Sequence, residues 1–119
     1  YDFARDDAGR PHLVRGAELD GVAANEGDVK VANIKRHLGR RTNFAAGNTS
    51  GDREMLEYAL AADGPTLALI VDHDDAEREY AYVAQAGTID FEGDFVEFGR
   101  SLGWTIASIR DDWATVFHA

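Results

Sequence analysis

Residues 44–62 constrain this chain more than any other stretch. Phe44-Ala45-Ala46-Gly47 is a short apolar run of β type, Asn48-Thr49-Ser50-Gly51-Asp52 is a polar loop, and a helical pattern starts at about Gly51. A strand, a loop and a helix in that order put Asn48, Ser50 and Asp52 at the C-terminal tip of the strand and the N-terminus of the helix. Ligands of open α/β sheets bind at that place, because backbone N–H groups and the helix dipole converge there. Asn48 and Asp52 offer oxygens at a spacing that suits Mg²⁺, a hard cation held by one or two side chains plus waters and substrate phosphate. The same residue types are also the usual helix N-caps, so the pattern alone reads first as an ordinary cap.

The flanking sequence repeats the strand–helix alternation. Residues 1–18 read as a β-hairpin, with extended runs at 1–4 and 12–15 around a turn-rich Asp6-Asp7-Ala8-Gly9-Arg10-Pro11. A polar connection at 19–28 leads to a helix over 29–38, capped by Asp28 and stopped at Gly39. Val31, Ile34 and Leu38 share one face of that helix, and Lys30 falls off the stripe, as a solvated lysine does. Lys35, Arg36, Arg40 and Arg41 form a solvated basic edge. The strand is expected at 43–47 and the next helix at 52–62, with Met55, Leu56, Ala59 and Leu60 inward and Asp63-Gly64-Pro65 as its stop. Residues 66–71 are a continuous apolar run, as for a parallel strand buried on both faces. Helices are expected at 74–85 and at 94–102, the latter with Phe95, Phe98 and Leu102 inward. A strand at 104–109 and a terminal helix at 111–117 follow, anchored by Trp113 and Phe117, with Trp113 in the core. The fold class is thus α/β, a partial Rossmann-like parallel sheet of the strands near 43–47, 66–71 and 104–109, flanked by helices. Residues 1–119 read as a single domain, with the α/β part at 28–119.

Charge narrows the partners. Twelve Lys and Arg against 22 Asp and Glu give a net charge of −10, which argues against nucleic acid and anionic membrane surfaces. A small phosphorylated substrate stays open, since a metal and one lysine set the local sign. With no cysteine there is no disulfide, thiolate site or Cys nucleophile. No apolar run approaches the ~20 residues of a membrane span. The expectation is a soluble chain, cytoplasmic or periplasmic; no signal peptide is visible, and the sequence begins at Tyr1 without Met.

Gly47-Asn48-Thr49-Ser50-Gly51-Asp52-Arg53-Glu54-Met55-Leu56 resembles the last motif of haloacid-dehalogenase-type phosphatases, where related members read Gly-Asn-Ser-Asp-Gly-Asp before an acidic residue and Met-Leu. The similarity continues through Gly64-Pro65, Leu67 to Val71, Asp74-Asp75-Ala76-Glu77-Arg78-Glu79-Tyr80-Ala81-Tyr82, Gly103-Trp104-Thr105 and Asp112-Trp113. Upstream, Lys30-Val31-Ala32-Asn33-Ile34 is similar to the family's third motif, a lysine near the start of a helix. The resemblance covers most of this chain and the C-terminal half of such phosphatases. It implies that Lys30 balances the carboxylates and contacts the transferring phosphoryl group. It also implies that Asn48 binds on the substrate and metal side and that Asp52 is a metal-side residue for Mg²⁺.

Phosphatases of this type carry an aspartate nucleophile in a strand-terminal Asp-x-Asp motif. Asp6-Asp7 sits in a turn and does not qualify. Asp72-His73-Asp74 has the right layout, with Asp72 to attack and Asp74 as general acid/base, but Ala76 stands where Thr or Val is usual. The expected role of Asp74 or Asp75 is instead to cap the following helix. Ser50 stands where related phosphatases carry an aspartate, which weakens Mg²⁺ binding. His12, His37, His73 and His118 have no metal-type spacing and read as surface residues. Without a nucleophile strand, the strand at 43–47 is an unpaired edge, which invites a homodimer or a complementing chain. Two functions follow as expectations: Mg²⁺-dependent phosphomonoester hydrolysis once the nucleophile half is supplied, or a catalytically inactive remnant acting as an oligomeric or binding module.

Overall fold

The computed structural model of the chain describes residues 2–14 and 25–117, those at 2, 3 and 12–14 by their backbone alone. An N-terminal hairpin pairs β1 (Asp2–Arg5) antiparallel with β2 (Pro11–Val14). Its turn is closed by Asp6, whose Oδ1 accepts the N–H groups of Ala8 and Arg10 at 3.0 and 2.9 Å. Pro11, expected in the turn, opens β2, a strand position where a missing N–H is tolerated. Residues 1 and 15–18 of the expected hairpin, and the connection up to residue 24, lie outside the described residues.

The α/β part runs α1 (Gly27–Leu38), β3 (Phe44–Gly47), a 3₁₀ turn (Ser50–Asp52), α2 (Arg53–Leu60), β4 (Leu67–Asp72), α3 (Phe95–Ser101), β5 (Thr105–Ser108) and α4 (Ile109–Asp112). The three strands form a parallel sheet in the order β3-β4-β5, with Gly47 opposite Ile70 and Asp72 opposite Ser108. The α/β class and the flanked parallel sheet thus stand as expected. Central β4 contributes Ala68 and Ile70 to the core, joined by Ala45, Leu56, Ala59, Phe95, Val96 and Trp104. Phe91, Phe95, Phe98 and Trp104 pack mostly edge to face, at centroid distances of 5.1 to 6.2 Å. No helix among the described residues is long and apolar enough to cross a membrane.

Five expectations are corrected. The first helix starts two residues early, with Glu26 and not Asp28 at its cap, and Leu38 lies exposed at its end. Strand β4 is buried on one face only: Leu69 and Val71 are half-buried and Leu67 is exposed, because the described elements do not fully cover that face. Residues 74–85 are not a helix. A short turn at 76–78 is followed by irregular chain, since Ala76, Tyr80 and Val83 all face water and give a helix no apolar face to bury. Leu102 caps the C-terminus of α3 and is exposed. The last helix is short and early, and Trp113 and Phe117 are 44% and 72% exposed, not core anchors. The Arg78 guanidinium explains that ending, for it donates to the carbonyls of Ile109, Arg110 and Trp113. Those carbonyls are capped by a side chain and need no further helical turn.

Close approach of α3 to the sheet depends on Gly99. A Cβ there would lie 2.7 Å from Ile70 Cδ1 and 2.8 Å from Trp104 Cε3. Gly99→Ala is expected to destabilise the fold by about 1–3 kcal/mol through overpacking. Urea unfolding followed by fluorescence of buried Trp104 measures it; an unchanged midpoint would mean that α3 does not lie this close to β4.

Candidate functional site

The loop after β3 is built around one carboxylate. Asp52 is 6% exposed at the end of the 3₁₀ turn. Its Oδ2 accepts the N–H groups of Asn48 and Thr49 at 2.9 and 3.3 Å, and its Oδ1 accepts from the Lys30 ammonium of α1. The arrangement requires glycine at the end of β3, since a Cβ on Gly47 would lie 2.5 Å from Asp52 Cβ and Oδ2. Lys30 keeps only a fifth of its side chain in water. The three residues expected to form the site, Lys30, Asn48 and Asp52, are therefore brought together at the C-terminal edge of the sheet. Lys30 is an ion-pair partner and not a solvated surface lysine.

Ser50 has a different task from a metal ligand. It is buried, its N–H donates to Ala84 O at 3.1 Å and its Oγ accepts the Ala86 N–H at 2.9 Å. Those bonds lay residues 84–86 against the loop, close enough that a Cβ on Gly51 would meet Ala86 Cβ at 3.2 Å. The same segment reaches Asn48: its Nδ2 donates to Tyr82 Oη at 2.6 Å. The Tyr82 ring stacks on His73, with centroids 4.4 Å apart and planes 21° apart, and His73 Nδ1 lies 2.7 Å from Glu79 Oε1.

His73 is thus half-buried and partnered, a correction to its reading as a surface residue. His37 is exposed as expected; the His12 side chain and His118 lie outside the described residues. Sequence reasoning missed Tyr82, His73 and Glu79 as neighbours of Asn48. The six-residue step from His73 to Glu79 matches neither helical nor strand periodicity, and only the Glu-Arg-Glu-Tyr-Ala-Tyr string marked the segment.

Four further carboxylates line this edge and each is handled differently. Asp74 accepts the Arg110 N–H at 3.0 Å and the Ser108 hydroxyl at 2.7 Å, and these bonds hold its carboxyl below the ordinary 3.8. Asp74 is thus engaged by the start of α4, across from the end of β4 where Asp72 lies. Asp75 caps not a helix but the turn, accepting the Glu77 and Arg78 N–H groups at 2.9 and 3.1 Å beside the Arg78 guanidinium. Asp94 caps α3 through Val96 and Glu97 N–H. Asp72, at the end of β4, is pushed above 3.8 by burial and then by the charges of Asp74 and Asp94. It lines a cavity of about 460 Å³ with His73, Tyr82, Asp94, Glu97 and Arg100. A larger hollow, about 760 Å³, opens at the other end of β3 beside His37, Arg40 and Arg41, away from every residue just described.

Among the described residues, no group of three or more His, Asp or Glu converges as a metal cage. One oxygen does remain available: Asn48 Oδ1 has no partner among the described residues, since only its Nδ2 is bonded. Mg²⁺ is usually held by one or two carboxylates besides waters and phosphate, so this neutral oxygen does not by itself make a metal site. No model of a known protein family matches the chain, and no curated protein matches it.

The two shifted aspartates should act oppositely on stability. Asp72, raised in the folded state, disfavours folding once ionised, so Asp72→Asn is expected to raise the melting temperature at pH 7. Asp74, lowered in the folded state, contributes stability above about pH 4 that is lost as pH falls through its folded value, so Asp74→Asn lowers the melting temperature at pH 7. Both differences should shrink as the pH falls towards and below the ordinary 3.8, that of Asp74 later than that of Asp72. Thermal melts from pH 3 to 7 test this, and shifts of the same sign for both variants would contradict it.

Proposed function

We propose that the chain is the C-terminal part of a haloacid-dehalogenase-type phosphohydrolase fold, a partial Rossmann-like unit serving Mg²⁺-dependent hydrolysis of a small phosphomonoester. The convergence of Lys30, Asn48 and Asp52, from a helix and a loop 22 residues apart in the Lys30–Asp52 pair, carries this reading. It occurs at the sheet edge where α/β folds take their ligands. The likeness of residues 30–34 and 47–56 to phosphatase motifs supports it further. In this reading Lys30 contacts the transferring phosphoryl group, Asp52 holds Lys30 in place, and Asn48 Oδ1 stands on the metal side. Both Asp52 oxygens are committed to Lys30 and to backbone N–H groups, so Asp52 supports the site from behind. Bound Mg²⁺ supplies charge neutralisation at the phosphoryl oxygens. The aspartate nucleophile belongs on a strand beside β3, whose outer edge is unpaired among the described residues.

That edge also favours a second reading, a catalytically inactive module that pairs through β3 with a second copy or a complementing chain. Exposed Phe44 at the start of β3 adds apolar surface to it. No nucleic acid or membrane partner belongs to either reading.

Hydrolysis of an aryl phosphate by the purified chain, with and without Mg²⁺, separates the two. Turnover that needs Mg²⁺ and falls at least a hundredfold in Lys30→Ala, the scale of losing one preorganised charge contact, is the expected result once the neighbouring strand is present. Light scattering on the same sample reports the edge: a dimer or a larger complex is expected, whereas a monomer without turnover under any condition would leave neither reading standing.

A further inference from the structure

In a chain with 22 Asp and Glu against 12 Lys and Arg, a cation left without a carboxylate calls for an explanation. Arg10, Lys30, Arg53, Arg78, Arg100 and Arg110 each pair with one. Lys35, Arg36, Arg40 and Arg41 have no carboxylate partner among the described residues, and all four fall within residues 35–41. Arg40 and Arg41, with His37, line the hollow of about 760 Å³ at the start of β3. We propose that this hollow binds a small polyanion, a ligand carrying two or more phosphate or carboxylate groups. It lies at the opposite end of β3 from Asn48 and Asp52, so it is separate from the proposed catalytic edge.

Helix α1 accounts for part of the cluster. Lys35 and Arg36 sit in its last turn, where cations meet the negative end of the helix dipole, and Lys35 Nζ donates to Gly39 O at 2.7 Å. Arg40 and Arg41 lie past the Gly39 cap, and no such backbone need places them there. Arg41 is fixed: its guanidinium lies 3.9 Å from the Tyr58 ring centroid and donates to Tyr58 O at 2.7 Å. Those contacts set its direction and leave its charge uncompensated. Arg40 has no partner among the described residues. The hollow lies between the end of α1 and residues 61–63 beyond α2, and Asp63 is the one acidic residue lining it among those described. Its wall includes Thr42, whose hydroxyl oxygen is buried without a hydrogen-bond partner. Such a group is costly unless something supplies an acceptor or donor. Two guanidinium groups match the paired oxygens of phosphate or carboxylate, and the volume is that of small-molecule sites.

Calorimetric titration of the full chain with inorganic pyrophosphate and, separately, with citrate tests the site, in the presence of a chelator so that no divalent cation takes part. One-to-one binding of at least one probe is expected, and the tighter of the two names the anionic group preferred. Amide ¹⁵N shifts should move at residues 37–43 and 61–63. Arg40→Gln should weaken binding about tenfold, the scale of one charge-assisted hydrogen bond. Arg40→Lys keeps the charge and loses the planar fork, so it should weaken binding too. Arg100→Gln changes the net charge equally at the other end of the sheet and should leave the affinity in place. Equal losses in Arg40→Gln and Arg100→Gln would reduce the effect to overall charge and overturn the proposal. Shifts centred on residues 30 and 48–52 would do the same by placing the anion at the proposed catalytic edge. No binding of either probe would also overturn it, and would leave the proposed function untouched.

Discussion

Asp52 is the node on which this arrangement depends. One carboxylate joins α1 to the loop through Lys30 and sets the loop's course through two backbone N–H groups. Its burial is tolerable only because both oxygens are engaged; an uncompensated buried carboxylate costs several kcal/mol, roughly 3–5 in measured cases. The same demand reaches back into the sequence. Gly47 has no side chain because Asp52 fills the space a Cβ would take. A short strand, a glycine and an aspartate five residues on thus form one unit, and Lys30 is the charge that lets it close.

Local pattern made that unit legible, and distance hid its surroundings. Strands β3 and β4 were readable because apolar runs bounded by polar loops have few alternatives, and α2 because Leu56 and Ala59 repeat at helical spacing and are both buried. The helix expected at 74–85 failed for a physical reason that composition conceals. Its charged residues are consumed by partners far away in sequence or across the turn: Arg78 by the carbonyls of 109, 110 and 113, Asp74 by Ser108 and Arg110, Glu79 by His73. Side chains drawn outward in this way hold an irregular segment more firmly than a helix without an apolar face could be held. Trp113 was misplaced by the same contact, since Arg78 ends α4 before the tryptophan can turn inward.

Ser50 illustrates how a site residue changes meaning once neighbours are known. On the resemblance alone it is a weakened metal ligand. In the fold its hydroxyl is an acceptor for the Ala86 N–H, and its N–H is a donor to Ala84. A serine fits here because it supplies an acceptor without charge in a buried position, whereas a carboxylate would add a second negative charge to a loop already built on Asp52.

The field along this edge limits what chemistry it can host. Asp74 and Asp94 are balanced by N–H groups and, for Asp74, by Arg110, whereas Asp72 is left with its burial and its acidic neighbours, eased only by Arg100 and His73. Lys30, the nearest cation to Asn48 in the loop unit, is already neutralised by Asp52. An anionic group arriving at Asn48 therefore meets no net positive charge from these residues. A phosphoryl group would have to bring a cation with it, and the free Oδ1 of Asn48 is the kind of hard oxygen such a cation accepts.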